Sequence, residues 1–363
     1  MSARIDTSTL RRTARAHSAM FALYRYRYLL LFTLIGFLSI VLEVVLVRCL
    51  PAAWPGAVKT LTGFTCGMVF AFYANAILNF KMPRRYFLKT FALFCAISCL
   101  SYSLNVVASR AIPRLCDVPY PLDRFATAGL FFLLAYFLHR RFTFDKARKL
   151  GVAIYAAEGE DVDTVFGKIG WQLDHVHVDL VDQTMDPAAR TVDLEQIDRA
   201  RKLWPRLRLN IHLMSKTPLM WLPQLWGRID GALIHLDIAD DPWEVIAQCR
   251  IHGKKVGVVW TRGVPASAIL PFLPHIDMAM VLGVADPGRS GQTMMAEAVE
   301  MSRVLEALAS RYRVDTVFDG GLTLSNSTRI PAQYIISSSG VLQSDRPLHT
   351  VFCLITGRHG ADT

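Results

Sequence analysis

The chain has 363 residues, of which 52% are hydrophobic, and a formal net charge of +10. This length exceeds one average domain and predicts two units. Most of the positive charge lies in the first part, with 17 Lys and Arg against 4 Asp and Glu through Phe144. These cations flank apolar runs and form no basic stripe with interleaved aromatic residues, which argues against a nucleic-acid partner.

Four apolar runs come first in chain order, and a bilayer is spanned by roughly 20 helical residues. The runs are Tyr28–Val47, Leu61–Phe80, Phe87–Ala108 and Phe125–Leu138. The first run is too long for a cleaved signal peptide, and three more follow it. We therefore predict a transmembrane domain of four helices over residues 25–144, preceded by a cytoplasmic segment of residues 1–24.

Basic residues concentrate before the first run, between the second and third runs, and after the fourth. The connections on the opposite side carry fewer of them. The positive-inside rule therefore predicts a multi-pass inner-membrane protein whose two termini and second half face the cytoplasm.

Two of the basic junctions are similar, NFKMPRRYF after the second run and YFLHRRFTF after the fourth. Arginines among aromatic residues suit the headgroup region, which makes Arg84, Arg85, Arg140 and Arg141 candidates for lipid-phosphate contacts. The alternative is that they only determine topology. Glu43 lies inside the first run, where an acid is costly; it is a functional candidate, or its carboxylate reaches the interface.

From Tyr24 to Phe144 the chain resembles the GtrA-like family of small four-span membrane proteins in span number, topology and the aromatic-basic endings. The resemblance implies that this part moves or handles polyprenyl-phosphate-linked sugars in the lipid bilayer.

From Gly151 the pattern changes to short β-branched runs that alternate with helical stretches, which is typical of repeated β/α units. The candidate strands are GVAIYA, DHVHVDL, LRLNIHLM, GALIHLDI, KKVGVVW, DMAMVLGV, VDTVFDG and AQYIISS. Eight such units predict an α/β fold, a compact TIM (β/α)8 barrel, over residues 151–346, with a C-terminal tail of residues 347–363.

Four metal-ligand residue types end three of these strands: His177 and Asp179 on the second, His212 on the third and Asp319 on the seventh. Residues two apart on a strand point to the same side, and the C-terminal strand ends of such barrels carry chemistry. Two imidazoles and two carboxylates can hold one divalent cation with a position open for substrate. A single His at a strand end is usually structural, but four ligand types at these positions predict a site.

Glycine-containing turns follow the last three strands: ADPGRSGQ, DGG and SSSG. Such turns bring backbone N–H groups close to phosphate. With the ligand residues they resemble the ribulose-phosphate 3-epimerase family from about Gly151 to Arg346. The resemblance implies a ribulose-phosphate-binding barrel in which the four ligand residues hold a divalent metal ion (Fe, Mn, Co or Zn). It also implies that Asp179 and Asp319 exchange protons on opposite faces of a phosphorylated sugar. The substrate contacts that it implies are Met214, Gly288, Gly291, Gly320, Gly321, Ser338 and Ser339.

Several positions depart from the family pattern. The first strand ends without the usual serine, and other substitutions are Gln183 for Gly, Gly283 for Met, and Arg289 and Ser290 for Phe and Gly. The metal and acid/base residues are kept while substrate-facing residues change. This combination favours retained chemistry on an altered substrate.

The leading hypothesis is therefore a membrane-tethered, metal-dependent epimerase or isomerase of sugar phosphates that acts through an enediolate and serves cell-surface polysaccharide or lipid-linked sugar metabolism. The alternative is a flippase or transporter of polyprenyl-phosphate sugars, with a non-catalytic barrel that senses sugar phosphate or serves for docking. A third hypothesis is a structural anchor for a glycosyltransferase partner. The sequence leaves open the sugar, the native metal, the transport direction and whether the chain forms a homo-oligomer.

Overall fold

The computed structural model describes residues 7–82, 86–115, 120–145, 147–155, 161–289 and 291–357. The chain divides into two compact units, Met1–Ala147 and Arg148–Thr363. The first unit contains the apolar runs, and the second contains the alternating β/α pattern.

The first unit is helical. Its α-helices are α1 (Thr7–Cys49), α2 (Gly56–Ala74), α3 (Phe87–Leu115) and α4 (Tyr120–Leu138). Within the described residues, three stretches are long and apolar enough to cross a membrane: Tyr26–Cys49, Gly56–Asn79 and Phe87–Ala111. Helix α4 has 19 residues, and its place as a fourth span stays a prediction.

Helices α1 and α2 approach each other closely at two glycines. A Cβ atom at Gly63 would lie 2.6 Å from Val47 and 3.2 Å from the Cγ of Glu43, and one at Gly67 would lie 3.1 Å from the carbonyl oxygen of Ser39. Small residues permit such close packing between membrane helices. Glu43 is therefore partly buried in the contact between α1 and α2.

Helices α2 and α4 both continue into a five-residue π-helix, Asn75–Asn79 and His139–Thr143 respectively. A phenylalanine follows each, and the rings of Phe80 and Phe144 stack with their centroids 4.2 Å apart. The repeated segments of this unit are thus 75–80 and 139–144. In this comparison Ala76 and Ile77 occupy the positions of Arg140 and Arg141, whereas the similarity of NFKMPRRYF to YFLHRRFTF aligns the two arginine pairs with each other.

The second unit is a nearly closed parallel barrel, which confirms the predicted fold class. The described strands are β1 (Lys149–Gly151), β2 (Ala153–Tyr155), β3 (His175–Val181), β4 (Arg208–Met214), β5 (Gly231–His235), β6 (Lys255–Trp260), β7 (Met278–Leu282), β8 (Asp315–Asp319) and β9 (Tyr334–Ile336). All eight predicted strands are present, and the first one is divided into β1 and β2.

The divided first strand closes the barrel. β1 pairs with β9, whereas β2 pairs with β3, and the only residue between them is Val152. The hydroxyl of Ser338, just after β9, accepts a hydrogen bond of 3.2 Å from the backbone N–H of Ala153. This contact joins the last turn of the barrel to β2.

Helices cover most of the outside of the barrel. They are α5 (Val162–Ile169), α6 (Leu194–Leu203), α7 (Pro218–Leu225), α8 (Pro242–Ile251), α9 (Ala298–Tyr312), α10 (Ser339–Leu342) and α11 (Pro347–Thr356). Between β6 and β7 the chain forms two 3-10 helices instead, Ala266–Ala268 and Leu270–His275. This segment is rich in proline, which removes the backbone N–H groups that an α-helix needs.

The barrel continues beyond Arg346. Residues 347–363 were expected to be a tail, but Val351, Leu354 and Ile355 of α11 are buried in the hydrophobic core. The buried guanidinium of Arg148 donates to the carbonyl oxygens of Ile330 at 2.7 Å and Ser327 at 3.0 Å. The run from 347 is too short and too uniformly apolar for its sequence pattern to separate a core helix from a tail.

Alternation along the strands determines which side chains enter the barrel. Asp179 of β3 is in register with His212 of β4, and Leu282 of β7 is in register with Asp319 of β8. Since parallel strands share their C-terminal edge, these side chains lie in one layer of the interior. The fold thus places all the predicted ligand residues at one end of the barrel.

Candidate active site

Four buried side chains from β3, β4 and β8 converge inside the C-terminal end of the barrel. They are His177, Asp179, His212 and Asp319, and one ligand atom of each lies within 4.8 Å of all the others. None is more than 8% exposed. The residues that the sequence assigned to a metal site are therefore brought together.

The distances inside this cluster suit a shared cation. His177 Nε2 lies 3.1 Å from Asp179 Oδ1 and 3.7 Å from Asp319 Oδ2, and His212 Nδ1 lies 3.2 Å and 3.8 Å from the same two oxygens. Ligands bound at ~2.1 Å around one ion are separated by roughly 3 to 3.5 Å, as tetrahedral geometry requires. His177 Nε2 is also buried without a well-directed hydrogen bond among the described residues. This unsatisfied nitrogen and the N2O2 donor set fit a divalent metal ion.

The two carboxyl groups differ in their tendency to ionise. Burial and the nearby charge of Asp179 raise the pKa of Asp319. Burial also opposes ionisation of Asp179, but the adjacent imidazoles of His177 and His212 outweigh it and lower the pKa of Asp179. Groups whose pKa values are driven apart in this way can act as a base and an acid in the same site.

A second histidine orients His212. The Nε2 atoms of His212 and His235 are 2.9 Å apart, and the two rings are nearly parallel, with 2° between their planes. Because Nδ1 of His212 faces the carboxylates, its Nε2–H is the group available to donate to His235. Close to His235, the Lys216 ammonium holds the Asp237 carboxylate at 2.7 Å.

The predicted phosphate turns line a cavity of about 40 Å³ beside the cluster. All four predicted glycines have positive φ angles, from +65° at Gly321 to +101° at Gly320. A Cβ atom at Gly321 would overlap the backbone of Met294, and one at Gly320 would lie 2.9 Å from Val284. Glycine is thus required where backbone N–H groups must line the cavity closely.

The other predicted substrate residues also line this cavity: Gly288, Gly291, Met214, Ser338 and Ser339. The hydroxyl of Ser338 is already engaged with β2, so a ligand contact predicted for this residue would have to use its backbone.

Gln292 and Tyr155 also line the cavity, although the sequence predicted no role for either. Gln292 donates to the carbonyl oxygens of Asp286 at 2.6 Å and Arg289 at 2.8 Å and accepts from the N–H of Asp286 at 3.1 Å, so its side chain shapes the loop after β7. Tyr155 lines the cavity at the end of β2, where the family pattern has a serine. The Gly291–Gln292 pair at the end of ADPGRSGQ could have indicated that Gln292 lines the cavity, whereas nothing in the sequence indicated this for Tyr155.

The glycine at position 283 has a steric reason. A Cβ atom there would lie 2.6 Å from the ring of Phe318 and 2.7 Å from the carbonyl oxygen of Gly320. The methionine expected at this position therefore has no room in this chain. Gln183 is exposed after β3, and Ser290 lies outside the described residues.

The membrane candidates lie in the first unit. Arg140 Nη1 donates to the hydroxyl of Tyr136 at 3.1 Å, and its guanidinium lies 5.4 Å from the ring centroid of Tyr28. Arg141 is exposed. Glu43 packs against Gly63 as described above, and Arg84 and Arg85 lie outside the described residues.

Comparison with known proteins identifies both units. Residues 149–342 match the model of the ribulose-phosphate 3-epimerase family, and residues 31–144 match the GtrA/DPMS transmembrane domain. Ribulose-phosphate 3-epimerase from Mycobacterium bovis is 26% identical over 187 residues, which are 50% of this chain and 80% of the relative. The enzyme of the same name from Schizosaccharomyces pombe is 25% identical over 209 residues, 55% of this chain and 89% of the relative.

Among solved structures, 3-hexulose-6-phosphate synthase from Salmonella typhimurium aligns with a TM-score of 0.44 and 14% identity. The alignment covers 58% of this chain and 100% of that one.

Proposed function

The chain belongs to the ribulose-phosphate 3-epimerase family, and from this membership we propose that its barrel is a metal-dependent sugar-phosphate epimerase tethered to a membrane. The substrate is a phosphorylated sugar, and the reaction inverts a carbon next to a carbonyl group through an enediolate. The observation that carries the proposal is the buried cluster of two histidines and two aspartates beside a glycine-lined cavity.

We assign a divalent cation such as Fe, Mn, Co or Zn to His177, Asp179, His212 and Asp319. When bound, this cation supplies positive charge that stabilises the negative charge on the substrate oxygens by several kcal/mol. The buried, mutually close donor atoms support this assignment.

Proton transfer falls to the two aspartates. Asp179, whose pKa is lowered, starts as the carboxylate and removes the proton from the carbon beside the carbonyl. Asp319, whose pKa is raised, starts protonated and returns a proton to the opposite face of that carbon. The proton then on Asp179 returns to Asp319 to restore the starting state, and the reverse reaction uses the two residues in exchanged roles.

The glycine turns hold the other end of the substrate. Backbone N–H groups around Gly288, Gly291, Gly320 and Gly321 bind the phosphate, together with those of Ser338 and Ser339. The side chain of Met214, only 1% exposed, excludes water from the reacting carbon.

The test is hydrogen exchange by the full-length protein in detergent, loaded with Mn or Co. In deuterated water, the protein should exchange the carbon-bound hydrogen of D-ribulose 5-phosphate, measured by NMR. Asp179→Asn and Asp319→Asn should each lower exchange by about 10²- to 10⁴-fold, the usual contribution of a general acid or base. Asp163→Asn is the matched control, because this exposed carboxylate pairs with Arg199 on the outer helices. Wild-type exchange in either active-site variant contradicts the assigned roles.

The membrane unit supports a link to lipid-linked sugars, and we propose that the reaction serves cell-surface polysaccharide or lipid-linked sugar metabolism at a cytoplasmic membrane face. The match of residues 31–144 to the GtrA/DPMS transmembrane domain also favours a second candidate, transport of polyprenyl-phosphate sugars with the barrel as a sensor. Transport by reconstituted vesicles that is lost in Arg140→Ala but kept in Asp319→Asn favours the transporter. Turnover lost in Asp319→Asn and kept in Arg140→Ala favours the epimerase. A purely structural anchor for a glycosyltransferase predicts neither activity.

A further inference from the structure

A second cavity opens beside the first. It has a volume of about 300 Å³, compared with about 40 Å³ for the cavity beside the ligand cluster. The two cavities share four lining residues: Tyr155, Asp179, Gly288 and Arg289. The larger cavity therefore begins at the proposed base and is lined by Gly288 but not by Gly291, Gly320 or Gly321. Its volume lies at the lower end of the range for small-molecule sites.

Apart from Val181, the residues that line only the second cavity belong to the segment after β3: Asp186, Ala188, Ala189 and Arg190. This segment follows a turn held by Asp182, which is only 8% exposed. Its carboxylate accepts hydrogen bonds from the N–H of Thr184 at 2.9 Å and the indole N–H of Trp221 at 2.7 Å, and its own N–H donates to the carbonyl oxygen of Met214 at 3.1 Å. The cavity wall is thus fixed to β4 and α7 by buried polar contacts.

Among the described residues, the charged side chains that line the second cavity are Asp179, Asp186, Arg190 and Arg289. The Arg289 guanidinium lies 3.5 Å from Asp186, and its side chain is 61% exposed. Such an exposed pair contributes little to stability, so an incoming anion can replace the Asp186 contact of Arg289. Arg190 and Arg289 thus place two guanidinium groups at this cavity, and guanidinium binds phosphoryl oxygens in a bidentate manner.

We propose that this second cavity binds a second phosphoryl group, at the end of the sugar opposite to the phosphate held by the glycine turns. The substrate class is then a sugar that carries phosphoryl groups at both ends of its carbon chain. The inference rests on the proposed function, because the reacting carbon must lie between the two cavities, beside Asp179. Arg289 stands where the family pattern has phenylalanine. In this proposal its guanidinium binds the second phosphoryl group at the junction of the two cavities.

The test compares two probes on the metal-loaded, full-length protein in detergent, D-ribulose 5-phosphate and D-ribulose 1,5-bisphosphate, by calorimetric titration. We expect the bisphosphate to bind at least about tenfold more tightly than the monophosphate. Arg289→Ala and Arg190→Ala should each bring the ratio of the two affinities towards one. Arg303→Ala should keep the wild-type ratio, since Arg303 is an equally exposed arginine paired with Glu300 at 3.4 Å on α9.

The possible outcomes distinguish a failure of the second phosphoryl site from a failure of the proposed function. Equal affinity of the wild type for both probes overturns the second phosphoryl site and leaves the epimerase proposal standing. A tenfold preference that survives both arginine substitutions also overturns the assigned site. Failure of the metal-loaded protein to bind either probe at millimolar concentration contradicts the proposed function and the inference together.

Discussion

The contact between His212 and His235 makes a specific prediction about metal affinity. In His235→Phe a ring of similar size replaces the imidazole, but the acceptor that lies 2.9 Å from His212 Nε2 is lost. Both residues are at most 1% exposed, so water cannot supply a new acceptor without rearrangement. The Nε2–H of His212 is then a buried donor without a partner, and its Nδ1 is no longer held towards Asp179.

The magnitude follows from the cost of one unsatisfied buried donor. That cost is about 1 to 3 kcal/mol, and each 1.4 kcal/mol corresponds to a tenfold change in an equilibrium constant. We therefore expect His235→Phe to weaken metal binding by roughly 5- to 150-fold. His235→Gln should recover part of the loss, because its side-chain carbonyl can accept from His212. Asp237→Asn should have a much smaller effect, since the closest approach of its carboxylate to His235 is 3.7 Å, which is too long for a hydrogen bond.

The assay is competition between the full-length protein and a chelator for Co(II), with the visible absorption of the bound ion as a second readout. A change in the position of that absorption in His235→Phe reports altered ligand geometry, which general loss of stability would not produce. Wild-type Co(II) affinity in His235→Phe refutes the reasoning, as does equal weakening in the Phe and Gln variants.

Two further predictions follow from the same site. Burial alone lowers the pKa of His177, but the adjacent carboxylates of Asp179 and Asp319 outweigh it and raise the pKa. Because a ligand histidine must be neutral, metal affinity should fall as pH decreases through this raised pKa. An affinity that stays constant as the pH is lowered through and below the ordinary histidine range contradicts this. Gly321→Ala should weaken binding of D-ribulose 5-phosphate without loss of bound metal, since the new Cβ overlaps the backbone of Met294; phosphate-ester binding equal to that of the wild type would show that the turn does not hold phosphate.

The barrel could be predicted because its strands carry continuous β-branched runs, which have few other stable arrangements in a soluble domain. The convergence of His177 and His212 could be predicted as well, since residues at the C-terminal ends of parallel strands share one edge. The bond between His212 and His235 could not, because it depends on strand register and ring rotation. His235 ends the strand next to the one that carries His212. The sequence does not determine whether the His235 ring contacts Nε2 of His212 or the metal ion.

In the membrane unit, the sequence predicted the helices but not their local geometry. Its helices follow from apolar length, but the π-helices at Asn75–Asn79 and His139–Thr143 follow from no hydrophobic period. An extra residue in a turn shifts every later side chain around the helix by about 100°. The similarity of the two junctions was therefore visible in the sequence, whereas the correct equivalence of Phe80 with Phe144 required the helical geometry.

The position of each active-site residue in the fold explains which ones depart from the family pattern. The four ligand residues lie within strands β3, β4 and β8, where neighbouring strands fix both backbone and side-chain direction. Arg289 and Gln183 lie in loops, where a substitution alters the cavity without disturbing the core. Gly283 departs from the family pattern although it directly follows strand β7. It packs against the ring of Phe318, so a larger residue there would press on the strand that carries Asp319. A barrel of this kind can therefore exchange its substrate through its loops while its strands keep the proton chemistry.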